Sequence, residues 1–252
     1  MSDTTADEPP VIVEARDQKL YITLNRPRQL NAHNEPLRHA LEAAIDRLDN
    51  DDDLLVGILK ANGRAFSAGA DLKEATPLPG GRTGFEHFIK VETARKPMIA
   101  CLHGYAMGGG LELALCCDIR IACADALLGT PEPRTFGGIP AVAVYRLANV
   151  IPRGEAMKIM LSSQPISAQR AYEIGLVQDV APDYDAMVAA ADKLADQMRE
   201  CNVAALQTIK KLASWTYMND TYEAERFGKE INANRTRREG DRSQYLADRK
   251  GE

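Results

Sequence analysis

Gly104-Tyr105-Ala106-Met107-Gly108-Gly109-Gly110-Leu111-Glu112-Leu113-Ala114, continuing through Leu115-Cys116-Cys117-Asp118 to Ile119-Arg120-Ile121-Ala122, is the segment from which the rest of the chain can be understood. Three consecutive glycines allow a backbone to approach another segment or a ligand without side-chain obstruction. The apolar residues that follow read as a helix, and Ile119–Ala124 reads as a short buried strand. A glycine-opened helix start presents unpaired N–H groups and the positive end of the helix dipole, so negative charge is favoured there. Glu112 lies in the first turn between two leucines. It can simply complement the dipole, but a carboxylate in apolar surroundings is costly unless paired, so it is also a candidate acid or base.

Upstream, Ala65-Phe66-Ser67-Ala68-Gly69-Ala70-Asp71-Leu72 is a second run of small residues between a strand-like segment, Leu54–Ala61, and a short helix. Its amides are equally open to a ligand. Downstream, Gly129-Thr130-Pro131-Glu132 places a second carboxylate in what reads alone as a loop. Further strand-like runs are Val11–Ala15 and Lys19–Asn25, a hairpin across Asp17-Gln18, and Pro97–Leu102. Asn34 is an N-cap candidate with Pro36 at an early helical position, followed by the stripe Leu37, Leu41, Ile45 and Leu48. Strand and helix alternate to about residue 130, which predicts an α/β fold with a largely parallel sheet and helices outside it. After Pro140 the pattern is helical: Val142–Val150, Arg153–Leu161, Ala168–Ile174, Asp185–Arg199 and Val203–Met218, then a charged segment from Tyr222. Met187, Ala190, Ala191, Leu194 and Met198 form one apolar stripe for packing on the core or a partner subunit. Thr76–Gly84 reads as a flexible loop of the kind that carries specificity.

The chain has 252 residues, 45% hydrophobic and 27% charged, with a net charge of −5. These values suit a globular protein and argue against broad binding to nucleic acid or anionic membrane. The first ten residues lack the regions of a signal peptide, and Leu111–Ala124 is broken by Glu112, Asp118 and Arg120, so a cytoplasmic protein without membrane association is expected. Cys101, Cys116, Cys117 and Cys123 sit in apolar segments and read as reduced core thiols. The four histidines, His33, His39, His87 and His103, show no metal-ligand spacing, so no metal site is expected. The glycines do not follow the dinucleotide-binding pattern. Ser67 lacks a nucleophile elbow and any suggested His/Asp set.

Asn25-Arg26-Pro27 with Asn31-Ala32, AFSAGADLKE at 65–74, GYAMGGGLELALCCDIRIA at 104–122, Pro131-Glu132 and ISAQRAYEIGLV at 166–177 resemble the crotonase (enoyl-CoA hydratase/isomerase) superfamily in order and spacing. The resemblance runs from about residue 11 over nearly the whole chain. It implies a crotonase (ClpP-like) spiral of ββα units over 11–195, after a disordered tail at 1–10. It also implies a helical region at 196–252 that assembles a homotrimer or a hexamer made of two trimers. It places the oxyanion hole at the N–H groups of Ala70 and Gly109, the catalytic acids at Glu112 and Glu132, and the acyl-CoA substrate near Arg28, Ala32, Ala68, Asp71, Leu72, Gly108 and Arg134. The implied activity is hydration of a 2-enoyl-CoA or the reverse, with no cofactor beyond the thioester substrate. A Δ3,Δ2-enoyl-CoA isomerase or another crotonase-type reaction is the alternative, and a non-catalytic CoA-binding or RNA-associated member a third. Glu132 is expected to act chiefly on the C2 proton and Glu112 chiefly on water. One departure stands out: Ile139-Pro140-Ala141-Val142-Ala143-Val144-Tyr145-Arg146 replaces the glycine-rich continuation usual in hydratases. Arg134 beside Glu132 is expected either to lower that carboxylate's pKa or to bind a substrate carboxylate.

Overall fold

A computed structural model of the chain describes residues 8–74, 84, 86–135 and 137–213. Asp17 and Gln18 both take positive φ, 51° and 61°, the left-handed pair that a tight two-residue hairpin needs. They fold β1 (Val11–Arg16) antiparallel onto β2 (Lys19–Leu24). Asn34 caps α1 (Glu35–Asn50) by accepting from Leu37 N at 3.1 Å. That helix carries the chain to β3 (Val56–Ala61), parallel to β2. Helix α2 (Glu86–Glu92) precedes β4 (Met98–Leu102), parallel to β3.

From β4 the chain leaves the main sheet for β5 (Tyr105–Met107), turns into α3 (Gly109–Leu115) and returns as β6 (Ile119–Cys123) parallel to β4. The excursion repeats with β7 (Leu127–Gly129), which pairs parallel with β5, and α4 (Glu132–Thr135). This strand–strand–helix repeat is the expected spiral. Then follow α5 (Ala143–Val150), α6 (Arg153–Ser162), β8 (Ile166–Ser167), α7 (Ala168–Glu173), β9 (Asp179–Ala181) and α8 (Tyr184–Arg199). The larger sheet runs β1-β2-β3-β4-β6-β9 and the smaller β5-β7-β8.

The all-helical reading after Pro140 is corrected by β8 and β9. Each is too short to show periodicity, and each is a strand because an existing edge is there to pair with: Leu127 and Leu128 for β8, Ile121–Cys123 for β9. Glu132 likewise opens α4 and does not sit in a loop.

Both faces of the central strands are covered, which explains their unbroken apolar runs. Alternate residues serve two cores. Leu20, Ile22, Leu59, Met98, Ala100 and Ala122 join α1, α3 and α5 on one face. Tyr21, Ile58, Ile99, Cys101, Ile121 and Cys123 meet Met187, Ala191 and Ala195 of α8 on the other. The α8 stripe is therefore core packing. Residues 203–213 are helical and are tied down by buried Lys210, whose Nζ donates to Asp118 Oδ2 at 2.7 Å and Lys96 O at 2.9 Å. The expectations for residues 1–7, for 76–83 of the Thr76–Gly84 loop, for Phe136 and for 214–252 lie outside the described residues. No helix among the described residues is long and apolar enough to cross a membrane.

Asn31 joins the first turn of this spiral to the next. Fully buried and left-handed (φ 52°), it accepts from Arg26 N at 2.7 Å and donates to Asn62 O at 2.9 Å and Ala65 O at 2.8 Å. Asn31→Ala strands these groups in the interior and should cost about 3 kcal/mol or more, measured by urea denaturation.

Candidate active site

The segment after β3 is drawn alongside β5. Phe66 N donates to His103 O and Ser67 N to Tyr105 O, both at 2.9 Å, and Met107 N returns a bond to Ser67 O at 3.0 Å. Gly69, at φ +92°, then passes so close to α3 that an added Cβ would lie 2.8 Å from Gly109 N. Ala70 bridges His33 in parallel fashion, with His33 N donating to Gly69 O at 2.7 Å and Asp71 N to His33 O at 3.1 Å. Such a bridge uses the groups on either side of Ala70, so the N–H of Ala70 itself projects the opposite way. Gly109 opens α3, where an N–H has no intrahelical acceptor. An added Cβ on Gly109 would lie 3.4 Å from Ala70 N. The two amides stand next to each other, and neither donates to another described residue.

Gly108 (φ +53°) donates from N to Gly129 O at 2.9 Å, pulling the end of β7 and the following Glu132 toward the same spot. An added Cβ there would lie 2.6 Å from Glu132 Oε1, so a side chain at this position would push the carboxyl aside. Glu132 is buried, and its Oε2 has no hydrogen-bond partner among the described residues. Burial, with the nearby Glu112 charge adding to it, pushes its pKa up to about 8. Glu112 is also buried, which raises its pKa. Two amides oppose that rise: Val142 N and Ala143 N donate to Glu112 Oε1 at 2.6 and 3.0 Å. Arg146, which pairs with Glu92 at 2.7 Å, favours the ionised form as well.

The altered segment 139–146 thus acquires a function invisible in its composition, since the start of α5 holds Glu112 through backbone N–H groups that any residue but proline supplies. Arg134 corrects an expectation. It is exposed, and Glu132 is shifted upward by burial, not downward by a guanidinium; of its two expected roles, only the binding of a substrate carboxylate is left. Asp71 is half-buried, and its carboxylate is held by Arg26 at 3.0 Å. Arg28 and Ala68 are exposed, while Ala32 and Leu72 are half-buried nearby in sequence. Ser67 does meet a histidine: His33 Nε2 lies 3.1 Å from Oγ. The hydroxyl nevertheless donates to Asn31 O at 2.8 Å, so it is not poised as a nucleophile. Among the described residues no group of three His, Cys, Asp or Glu is placed to hold a metal ion.

Two adjacent open amides flanked by two buried carboxyls define a class of enzyme that develops negative charge on a carbonyl oxygen and moves protons beside it. The chain belongs to the enoyl-CoA hydratase/isomerase family, whose model matches residues 14–244. A probable enoyl-CoA hydratase of Bacillus subtilis is 36% identical over 223 residues, covering 82% of this chain and 84% of that protein. The 2,3-dehydroadipyl-CoA hydratase of Escherichia coli is 36% identical over 208 residues, 80% of either chain. The crystal structure of an enoyl-CoA hydratase/isomerase from Pseudoalteromonas atlantica superposes with a TM-score of 0.85 at 26% identity, covering 94% of this chain and 95% of the other.

The raised pKa of Glu132 has a thermodynamic signature. Its neutral form is favoured by the fold, so that stabilisation is complete below the ordinary carboxyl value of 4.5 and is lost as pH rises through about 8. Glu132→Gln cannot ionise and should melt at a higher temperature than the native chain at pH 9, the difference closing toward pH 4 in thermal scans.

Proposed function

We propose that Ala70 and Gly109 form the oxyanion hole of a 2-enoyl-CoA hydratase in which Glu112 and Glu132 divide the proton transfers. The observation that carries this reading is a pair of buried carboxyls beside two free amides, both with raised pKa but only Glu112 receiving backbone N–H groups that favour its ionised form. The thioester oxygen accepts from both N–H groups. Water adds to C3 and gives a proton to Glu112, whose ionised form is held by Val142 N and Ala143 N. Negative charge moves to the thioester oxygen as an enolate, where two fixed donors lower the barrier. Glu132, protonated at neutral pH by its raised pKa, delivers its proton to C2, the enolate collapses, and the proton on Glu112 returns to Glu132 through solvent to restore both groups. Dehydration runs these steps backward. An isomerase needs one base; the orienting of a second carboxylate by α5 favours hydration.

The reaction needs no cofactor beyond the coenzyme A thioester. Arg28, Ala32, Ala68, Leu72 and Gly108 are proposed to border the substrate, with Asp71 shaping that border through Arg26. Residues 11–195 are proposed as the catalytic core and 196–252 as the region that assembles a trimer or hexamer. Exposed Val203, Ile209 and Leu212 support this, since they leave an apolar surface on the 203–213 helix. Five free cysteines, four of them buried, fit a reducing cytoplasmic setting.

Loss of the conjugated thioester absorbance tests the reading, with crotonyl-CoA and longer, branched and ω-carboxylated 2-enoyl-CoAs as substrates; no turnover of any of them overturns it. Glu132→Gln and Glu112→Gln should each nearly abolish hydration while retaining acyl-CoA binding. Gly109→Pro, tolerated at a first helical position, removes one donor and should lower kcat by ~10²–10³-fold. Hydration requires protonated Glu132, so kcat should fall as pH rises past about 8; a pH–rate profile flat from 7 to about 10 would contradict the assigned roles.

A further inference from the structure

Behind the Ala70 loop lies a buried chain of polar side chains that the reaction does not touch. Ser67 Oγ is 2.8 Å from Asn31 O, 3.1 Å from Gly69 N and 3.1 Å from His33 Nε2. His33 Nδ1 is in turn 3.2 Å from His87 Nε2. Ser67, His33 and His87 are all at most 2% exposed.

Counting donors settles the direction of every bond. A carbonyl only accepts, so the single hydroxyl hydrogen of Ser67 goes to Asn31 O. Gly69 N only donates, so it uses one lone pair of Ser67 Oγ. The remaining lone pair must receive a hydrogen from His33 Nε2. His33 is kept neutral by burial and by the charges of Arg38 and Arg26, which push its pKa down to about 3. Carrying its hydrogen on Nε2, it has a bare Nδ1, which therefore accepts from His87 Nε2–H. The backbone of His33 grips the same loop from the other side, through its bonds to Gly69 O and Asp71 N.

We propose that His33 is a positioning residue for the oxyanion hole: through Ser67 it fixes the Gly69–Ala70 peptide so that the Ala70 N–H points at the substrate carbonyl, while His87 selects the His33 tautomer that does this. The inference rests on the role given to Ala70 above. Its physical basis is that both Ser67 lone pairs are occupied, so the hydroxyl cannot rotate, and the Gly69 amide it receives sits one peptide before the catalytic donor. A small misdirection of such a donor is enough to lose much of its effect on the transition state.

Asn and Gln dissect the two ends of the imidazole. Gln places an amide N–H near the Nε2 position and can still donate to Ser67, whereas Asn reaches only the Nδ1 position and cannot. With crotonyl-CoA, His33→Asn should lower kcat about 10-fold or more, and His33→Gln should recover most of that loss. Binding of [1-13C]butyryl-CoA, a saturated thioester, should stay within about threefold in both. Its bound carbonyl stretch, lowered in the native protein by the oxyanion donors, should move back toward the solution value in His33→Asn and less so in His33→Gln. If His33→Asn keeps kcat within twofold of native, or if Asn and Gln lose activity equally in step with their melting temperatures, the positioning role is overturned. Should His33→Asn fail to fold, Ser67→Ala decides, since it removes the same fixed lone pairs; native-like kcat and carbonyl frequency there overturn the proposal. An inactive native chain that does not shift the thioester carbonyl would instead refute the hydratase reading itself.

Discussion

The active-site geometry depends on the bridge between Ser67 and Ala106. Those three backbone bonds, from Phe66 and Ser67 to the 103–105 segment and back from Met107, set two glycine-containing turns of the spiral side by side. Everything chemical follows from that contact. Gly110 lies so close to it that an added Cβ would sit 2.4 Å from Ser67 O. With the turns apart, the Ala70 and Gly109 amides would be two ordinary surface N–H groups with no common target. Held together, they make a small region of positive potential at the mouth of α3, where an unpaired donor becomes useful as charge develops.

Around this pair the fold arranges its charges unequally. Glu112 receives two amide hydrogens and feels Arg146, which offset part of the rise in its pKa caused by burial. Glu132 sits over Gly108 with one oxygen lacking a partner among the described residues, so its neutral form is preferred up to about pH 8. Two residues of the same type thereby receive unequal support for the ionised form, which suits Glu112 to the proposed base role and Glu132 to the proposed acid role. The charge on one carboxylate helps to keep the proton on the other.

The supporting layers follow the same division. Burial of alternate strand residues against α1 on one face and α8 on the other keeps the main sheet rigid, so the turns at its ends are held by strands that cannot shift. Asn31 and the Ser67–His33–His87 chain then fill polar space beneath the first turn with bonds that are satisfied in one orientation only. Such a network costs stability if any member is lost, and it specifies one geometry when complete.

The hairpin, the Asn34 cap, the parallel strands and the positions of Ala70, Gly109, Glu112 and Glu132 were legible in the sequence because each depends on local rules: turn glycines, capping side chains, apolar runs and the spacing of a family motif. Strands β8 and β9 were not, since two or three residues carry no period and become strands only where another strand offers its edge. The Glu112 anchor is not legible in the sequence, because Val142 and Ala143 act through backbone N–H groups, which no side-chain pattern advertises. His33, Ser67 and His87 are likewise separated along the chain and meet only once the loop has folded over α1 and α2. The sequence by itself therefore determined which groups exist and on which elements they ride. Only the tertiary structure decided which way each proton points, because burial, dielectric and hydrogen-bond direction belong to the surroundings and not to the residue.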